Sequence, residues 1–189
     1  DTSFNSTGKT LTNGTGYNDI AYDVIQQHDG KIVAVGSSDN NSNLDHFIVR
    51  YNADGTLDTS FDADGKLIIN SGSNESLHSV TQQSDGKLLM AGYQSNGSND
   101  DVFVMRLNLD GTLDTTFDTD GKAIFNVTSA NERANAIIQT SKGQLALVGY
   151  ASNGSNKDML LMQLNNDGSL DVSFDGKSGV ANGSIILPI

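Results

Sequence analysis

Short apolar runs recur along the whole chain, separated by clusters of Gly, Asn, Asp and Ser. Between residues 66 and 108 there are four: Lys66–Asn70 (KLIIN), Ser79–Gln83 (SVTQQ), Lys87–Tyr93 (KLLMAGY) and Val102–Asn108 (VFVMRLN). Their length and β-branched content predict strands. The third and fourth are apolar at consecutive positions, as expected of strands covered on both faces. Ser84-Asp85-Gly86 and His28-Asp29-Gly30 read as tight hairpin turns in which Gly supplies a positive φ. No window of about a dozen residues follows a 3.6-residue period, so no helix is predicted.

The pattern repeats. A tag occurs four times, as Asp1-Thr2-Ser3-Phe4, Asp58-Thr59-Ser60-Phe61, Asp114-Thr115-Thr116-Phe117 and Asp171-Val172-Ser173-Phe174, with Phe-to-Phe spacings of 57, 56 and 57. Gly36, Gly92 and Gly149 close hydrophobic runs in the same phase, and Asp54-Gly55, Asp110-Gly111 and Asp167-Gly168 precede the next tag. The units run over approximately 1–57, 58–113 and 114–170, with a partial unit at 171–189. Four short antiparallel strands per unit predict an all-β array of β-propeller-type blades, each burying its faces against its neighbours.

The run DGKLLMAGY…NDDVFVMRLNLDGTLDTTFDTDGKAIFN resembles the delta-60 repeats of bacterial surface and secreted proteins. The resemblance covers nearly the whole chain. It implies a propeller-like extracellular or cell-surface module and no catalytic residues. Unit one departs most, with Asn5-Ser6-Thr7-Gly8 in place of Asp62-Ala63-Asp64-Gly65.

Composition narrows the function classes. The chain has 189 residues, 36% hydrophobic and 18% charged, with 11 Lys plus Arg against 23 Asp plus Glu and a net charge of −12. Such a chain repels nucleic acid and anionic membranes. It contains no Cys, so disulfides and thiolate sites are excluded. No apolar run approaches the roughly 18 residues of a membrane span, so no membrane insertion is expected. A start at Asp1, without a leader, is expected of a processed chain or a piece of a longer one.

Three features are candidates for chemistry. In the acidic junctions, Ser60, Asp62 and Asp64 before Gly65, and Thr116, Asp118 and Asp120 before Gly121, mimic the first oxygen positions of a calcium loop. The closing Glu is missing, since Ser71 and Val127 stand in its place, so two readings stay open: turn capping, or a weak extracellular-type Ca²⁺ site. No cofactor is required by either. Asp45, Asp101 and Asp158 recur at the start of a strand, where a carboxylate can orient the preceding loop or pair with a base such as Arg50 or Arg106. The loops holding Asn96 and Asn99 above Tyr93, and Asn153 and Asn156 above Tyr150, combine an aromatic face with amides, a pairing that suits glycans or peptides. The rival reading is an ordinary Asn-Gly turn.

His28, His46 and His78 occupy unrelated repeat positions and are expected at the surface. No nucleophile elbow or phosphate loop is present. The acids recur in every unit, whereas a catalytic pair breaks a repeat, so a hydrolase is the weakest reading. Eight Asn-x-Ser/Thr sequons follow mostly from composition. The expected function is a non-catalytic binding or structural module, with a lectin-like adhesin and a self-assembling ring or fibre as alternatives. Three and a third units fall short of the roughly four blades of a closed ring. Self-association through open blade faces is therefore expected, with Val180–Ile189 adding a strand to a neighbour's blade.

Overall fold

The computed structural model describes residues 1–174 and 183–187. Twelve strands form three four-stranded antiparallel sheets within them. The first holds β1 (Asp19–Gln26), β2 (Ile32–Asp39), β3 (Leu44–Tyr51) and β4 (Lys66–Ile69). The second holds β5 (Glu75–Gln82), β6 (Leu88–Ser95), β7 (Asp100–Leu107) and β8 (Lys122–Phe125). The third holds β9 (Glu132–Gln139), β10 (Leu145–Ser152), β11 (Lys157–Leu164) and β12 (Ser184–Leu187). Each sheet is an up-and-down blade in chain order. The first strands β1, β5 and β9 lie side by side, and the blades fan outward from them.

Blade boundaries cut the sequence repeat in a different phase. KLII, which opens unit two in the sequence, is the outer strand of blade 1, paired with β3 from His46↔Ile69 to Val49↔Lys66. The partial unit therefore begins no fourth blade: its tag and Ser184–Leu187 complete blade 3, with Met162↔Ser184 and Met159↔Leu187 in register. The expectation that the terminal segment joins a neighbour is corrected for these residues, which pair within their own chain. Residues 180–182 and 188–189 of that segment lie outside the described residues. The reason is the repeat itself, in which the strand after each tag belongs to the blade before it.

Consecutive apolar residues divide between two cores. Leu88, Met90, Phe103, Met105 and Leu107 face blade 1, where they meet Val33, Val35 and Ile48. Leu89, Ala91, Val102 and Val104 point the other way and meet Leu145, Leu147, Leu160 and Met162 of blade 3. Blade 2 is thus buried on both faces, and every residue of β7 is buried. Among the described residues, blade 3 is covered on one face only: Ile138, Val148 and Met159 are exposed, the last at 56%. On blade 1 the outward face carries Phe47 and Val49, over which the arm Thr10–Thr12 lies around a cavity of about 190 Å³. The Thr12 and Tyr51 hydroxyls share a hydrogen bond at 2.7 Å there.

Candidate functional site

The acidic junctions form a latch between blades. Arg50 donates from Nε to Asp58 Oδ2 at 2.6 Å and from Nη2 to Ser60 Oγ at 3.1 Å, and Nη1 reaches the Leu109 carbonyl of the next blade. Arg106 repeats this on Asp114, Thr116 and the Asn166 carbonyl. Lys31 and Lys87 add a second cation to Asp58 and Asp114, at 3.0 and 2.7 Å. Burial pushes both carboxyls up, but the hydroxyl, lysine and arginine bonds outweigh it and hold them well below the usual carboxylate range. The tag phenylalanines Phe61 and Phe117 are fully buried beneath Gly111 and Gly168 of the following blade, each under its own arginine. Asp62 N–H donates to the Asp110 carbonyl and Asp118 N–H to the Asp167 carbonyl, at 3.0 and 2.8 Å. Blade 3 breaks the pattern: Gln144 and Gln163 replace both cations and bond Asp171 at 2.7 and 2.8 Å.

The calcium-loop candidates sit in this latch. Ser60 and Thr116 donate to Asp58 and Asp114 at 2.7 Å. Asp64 and Asp120 accept the Lys66 and Lys122 N–H groups, at 2.9 and 3.0 Å, and face those ammonium groups at 3.5 Å. Asp62 and Asp118 hold positive φ values of 45° and 42° at the turn. Among the described residues, no three His, Asp or Glu side chains gather into a group that could hold a metal ion.

The Asn-Gly loops bond inward. Asn96 Nδ2 donates to Asp101 Oδ2 at 2.9 Å, while Asn99 Nδ2 reaches Asp101 Oδ1 and the Ala130 carbonyl at 3.0 and 2.6 Å. Asn153 and Asn156 bond Asp158 in the same way, at 3.0 and 3.4 Å. Asp45, Asp101 and Asp158 thus orient the preceding loop, whereas Arg50 and Arg106 pair with the tag aspartates instead. Tyr93 is 5% exposed, its ring under Arg133 at 3.7 Å. Tyr150, on the open face of blade 3, carries Lys157 at 4.0 Å.

Two arrangements were not legible in the residues alone. His46 is buried, not at the surface, stacked on Phe103 at 4.3 Å, with Nε2 3.5 Å from Glu75 Oε2. Burial lowers His46 to about 3 and raises Glu75 to about 7, so neither favours its charged form there. His46 is the neutral partner while Glu75 titrates near neutrality, and their 3.5 Å separation is too long for a strong ion pair. Glu75 also accepts the Ser71 N–H at 2.8 Å, capping the link between blades.

The second arrangement is a row of β-bulges. Register shifts fall at Tyr22 in β1, His78 in β5 and Asn135 in β9, opposite Gly36, Gly92 and Gly149. A Cβ on those glycines would stand 1.8–1.9 Å from the carbonyl oxygens of Ile20, Ser76 and Arg133. Glycine is therefore what admits the bulge, and the bulge re-aims one side chain per blade. The Tyr22 and His78 rings lie 4.8 Å apart, and His78 meets the Tyr93 edge at 5.6 Å. The Asn135 amide lies against His78, and burial together with the Arg133 charge holds the imidazole below its ordinary value. Arg133 is fixed by Asp100 of blade 2 through Nε at 2.8 Å and through Nη2. The repeated glycines, which the sequence shows only as closing each hydrophobic run, are the one signal that could mark the bulges; nothing in the sequence places the three side chains together.

Four-stranded blades packed face to face around adjoining first strands define a β-propeller-type repeat protein. The family described as a domain of unknown function, DUF5122 β-propeller, matches residues 27–61, 83–117 and 143–174, more than half of the chain, and the chain belongs to it. A search of curated proteins gives no match.

Proposed function

We propose that the chain is a non-catalytic propeller scaffold, part of a bacterial surface or secreted protein, which joins further blades through its open faces. One observation carries this reading. MLLMQL in β11 is apolar on both sides, like VFVMRL in β7, yet among the described residues only one side of β11 is fully covered. At the two junctions present, the equivalent positions are buried, so the outer face of blade 3 is built for a neighbour. A neighbour from a second copy gives a ring or fibre. Light scattering of the full chain from micromolar to millimolar concentration tests this: mass rising with concentration is expected, and a constant monomer mass overturns it.

The secreted location is supported by the likeness to the delta-60 repeats and by the acidic, Cys-free composition. Calcium at the Ser60–Asp64 and Thr116–Asp120 turns belongs to the same scheme, as a low-affinity brace outside a cell. Millimolar Ca²⁺ would raise the melting midpoint relative to EDTA. An unchanged midpoint removes the ion and leaves the turns capped by their own backbone.

A further inference from the structure

We propose that the bulge row formed by Tyr22, His78 and Asn135, flanked by Tyr93 and the Arg133–Asp100 pair, is a binding site for an uncharged oligosaccharide. It deepens the reading of the chain as a non-catalytic module by giving that module a ligand. Latch and loop residues repeat in kind from blade to blade: Asp58 with Asp114 and Asp171, Asn96 with Asn153, Asp101 with Asp158. The bulge positions share one backbone geometry but carry three different side chains, Tyr, His and Asn. The turn at each bulge demands only the opposing glycine, not the bulged side chain. Variation on an invariant backbone is where a repeat scaffold carries recognition.

The chemistry selects the ligand class. Tyr22, 51% exposed, and the partly buried His78 offer ring faces for the apolar face of a sugar. The His78 imidazole, the Asn135 amide and the Tyr22 hydroxyl offer polar atoms to sugar hydroxyl groups. Arg133 keeps Nη1 unused among the described residues, while its charge is balanced by Asp100; the carboxylate beside the row, Asp23, is engaged by the Val24 and Val80 N–H groups and would repel an acidic ligand. On a chain of net charge −12 an acidic glycan is repelled. An extended peptide is disfavoured as well. It would add to the exposed edges of the first strands, and all three edges are interrupted by a bulge at the same register. The row crosses three blades, which matches a chain of sugars better than a single one.

Calorimetric titration of the full chain with neutral tetrasaccharides of gluco, manno and galacto configuration tests the site, with tri-galacturonate and an extended octapeptide as comparisons. At least one neutral tetrasaccharide is expected to bind with a dissociation constant of roughly millimolar or tighter. Tyr22→Ala and Asn135→Ala, both at exposed positions, should each weaken it about tenfold, while Lys142→Ala in a distant turn should not. Folding of each variant is checked by its melting curve. No saturable binding of any neutral tetrasaccharide overturns the site, as does tighter binding of the galacturonate or the peptide, or unchanged affinity in both variants. Association is measured separately by light scattering, so a monomer that binds sugar sinks the open-face reading alone, and an oligomer that binds none sinks only the glycan site.

Discussion

Buried ionisable groups set how this protein responds to pH. Glu75 is protonated more readily in the folded chain, near 7 instead of 4.5, so its contribution to stability is lost as pH rises through that window. His46 works in the opposite direction: lowered from 6.5 to about 3, it costs stability as pH falls through that range. Between about pH 4.5 and 6.5 the two slopes oppose each other. Above it only Glu75 acts, and below it only His46. Glu75→Gln keeps the acceptor for Ser71 and offers an N–H to neutral His46. Melting curves from pH 4 to 8 should show the variant at least as stable as the wild type at pH 8, by on the order of 2 kcal/mol. A lower midpoint at pH 8 would mean that Glu75 and His46 form a charged pair instead. The latch gives a second residue-scale expectation. Arg106→Gln imports the arrangement found in blade 3 and forfeits the Asn166 bond and the contact with Phe117. A loss of about 1–3 kcal/mol in urea unfolding is expected, since Asp114 keeps Lys87. A neutral result would show that the guanidinium contributes no net stability.

At the scale of strands, the bulge glycines separate from the turn glycines. At Gly92 a Cβ would stand 1.9 Å from the Ser76 carbonyl oxygen, and that oxygen belongs to backbone on the paired strand. Gly92→Ala must straighten the bulge or push β5 away from β6, at a cost of about 3 kcal/mol or more. Gly97 has φ +90° with open space around it, so Gly97→Ala costs about 1 kcal/mol, from backbone conformation alone. Comparable losses in the two variants would contradict the close approach. The same glycines mark how far the residues alone could be read. Repeat length, strand number and turns were legible because apolar runs and Gly positions carry them directly. Blade phase was not, because KLII pairs equally well in pattern with the strand before or after it; only the ladder to β3 decides. The residue pattern starts the second strand of unit two at Ser79, whereas β5 starts at Glu75, because the bulge at His78 breaks the alternation that would reveal it. His46 is buried against the expectation of a surface site because a lone polar residue carries no sign that Phe103 and Glu75 enclose it.

At the scale of the whole molecule, the two outward faces are unequal. Blade 1 is partly covered by its own arm, with Ile20 and Val24 of β1 left exposed: Phe4 packs beneath Gly55, and Asn5 N–H bonds the Asp54 carbonyl at 2.7 Å, as Phe61 and Asp62 do one blade further on. Among the described residues, blade 3 has no such cover on its outer face. Its Gln163 side chain bonds its own Asp171, so a neighbour docking there would be held by apolar contact and not by a guanidinium. Two consequences follow for association. Met159→Asp places a charge in the centre of the exposed patch, where Met159 is 56% exposed and supports little of the monomer fold. It should weaken association by roughly tenfold or more while leaving the melting midpoint of the dilute monomer within a few degrees. Each chain also carries a net charge of −12, so copies repel at low salt. Raising ionic strength from about 0.01 to 0.15 M shortens the screening length from about 30 to 8 Å. Apolar association should therefore tighten with salt, whereas an interface held by ion pairs would loosen. Sedimentation equilibrium of wild type and Met159→Asp at the two ionic strengths checks both. Weaker association at the higher salt would put the contact on a charged surface elsewhere, and an unaffected Met159→Asp variant would take it off blade 3.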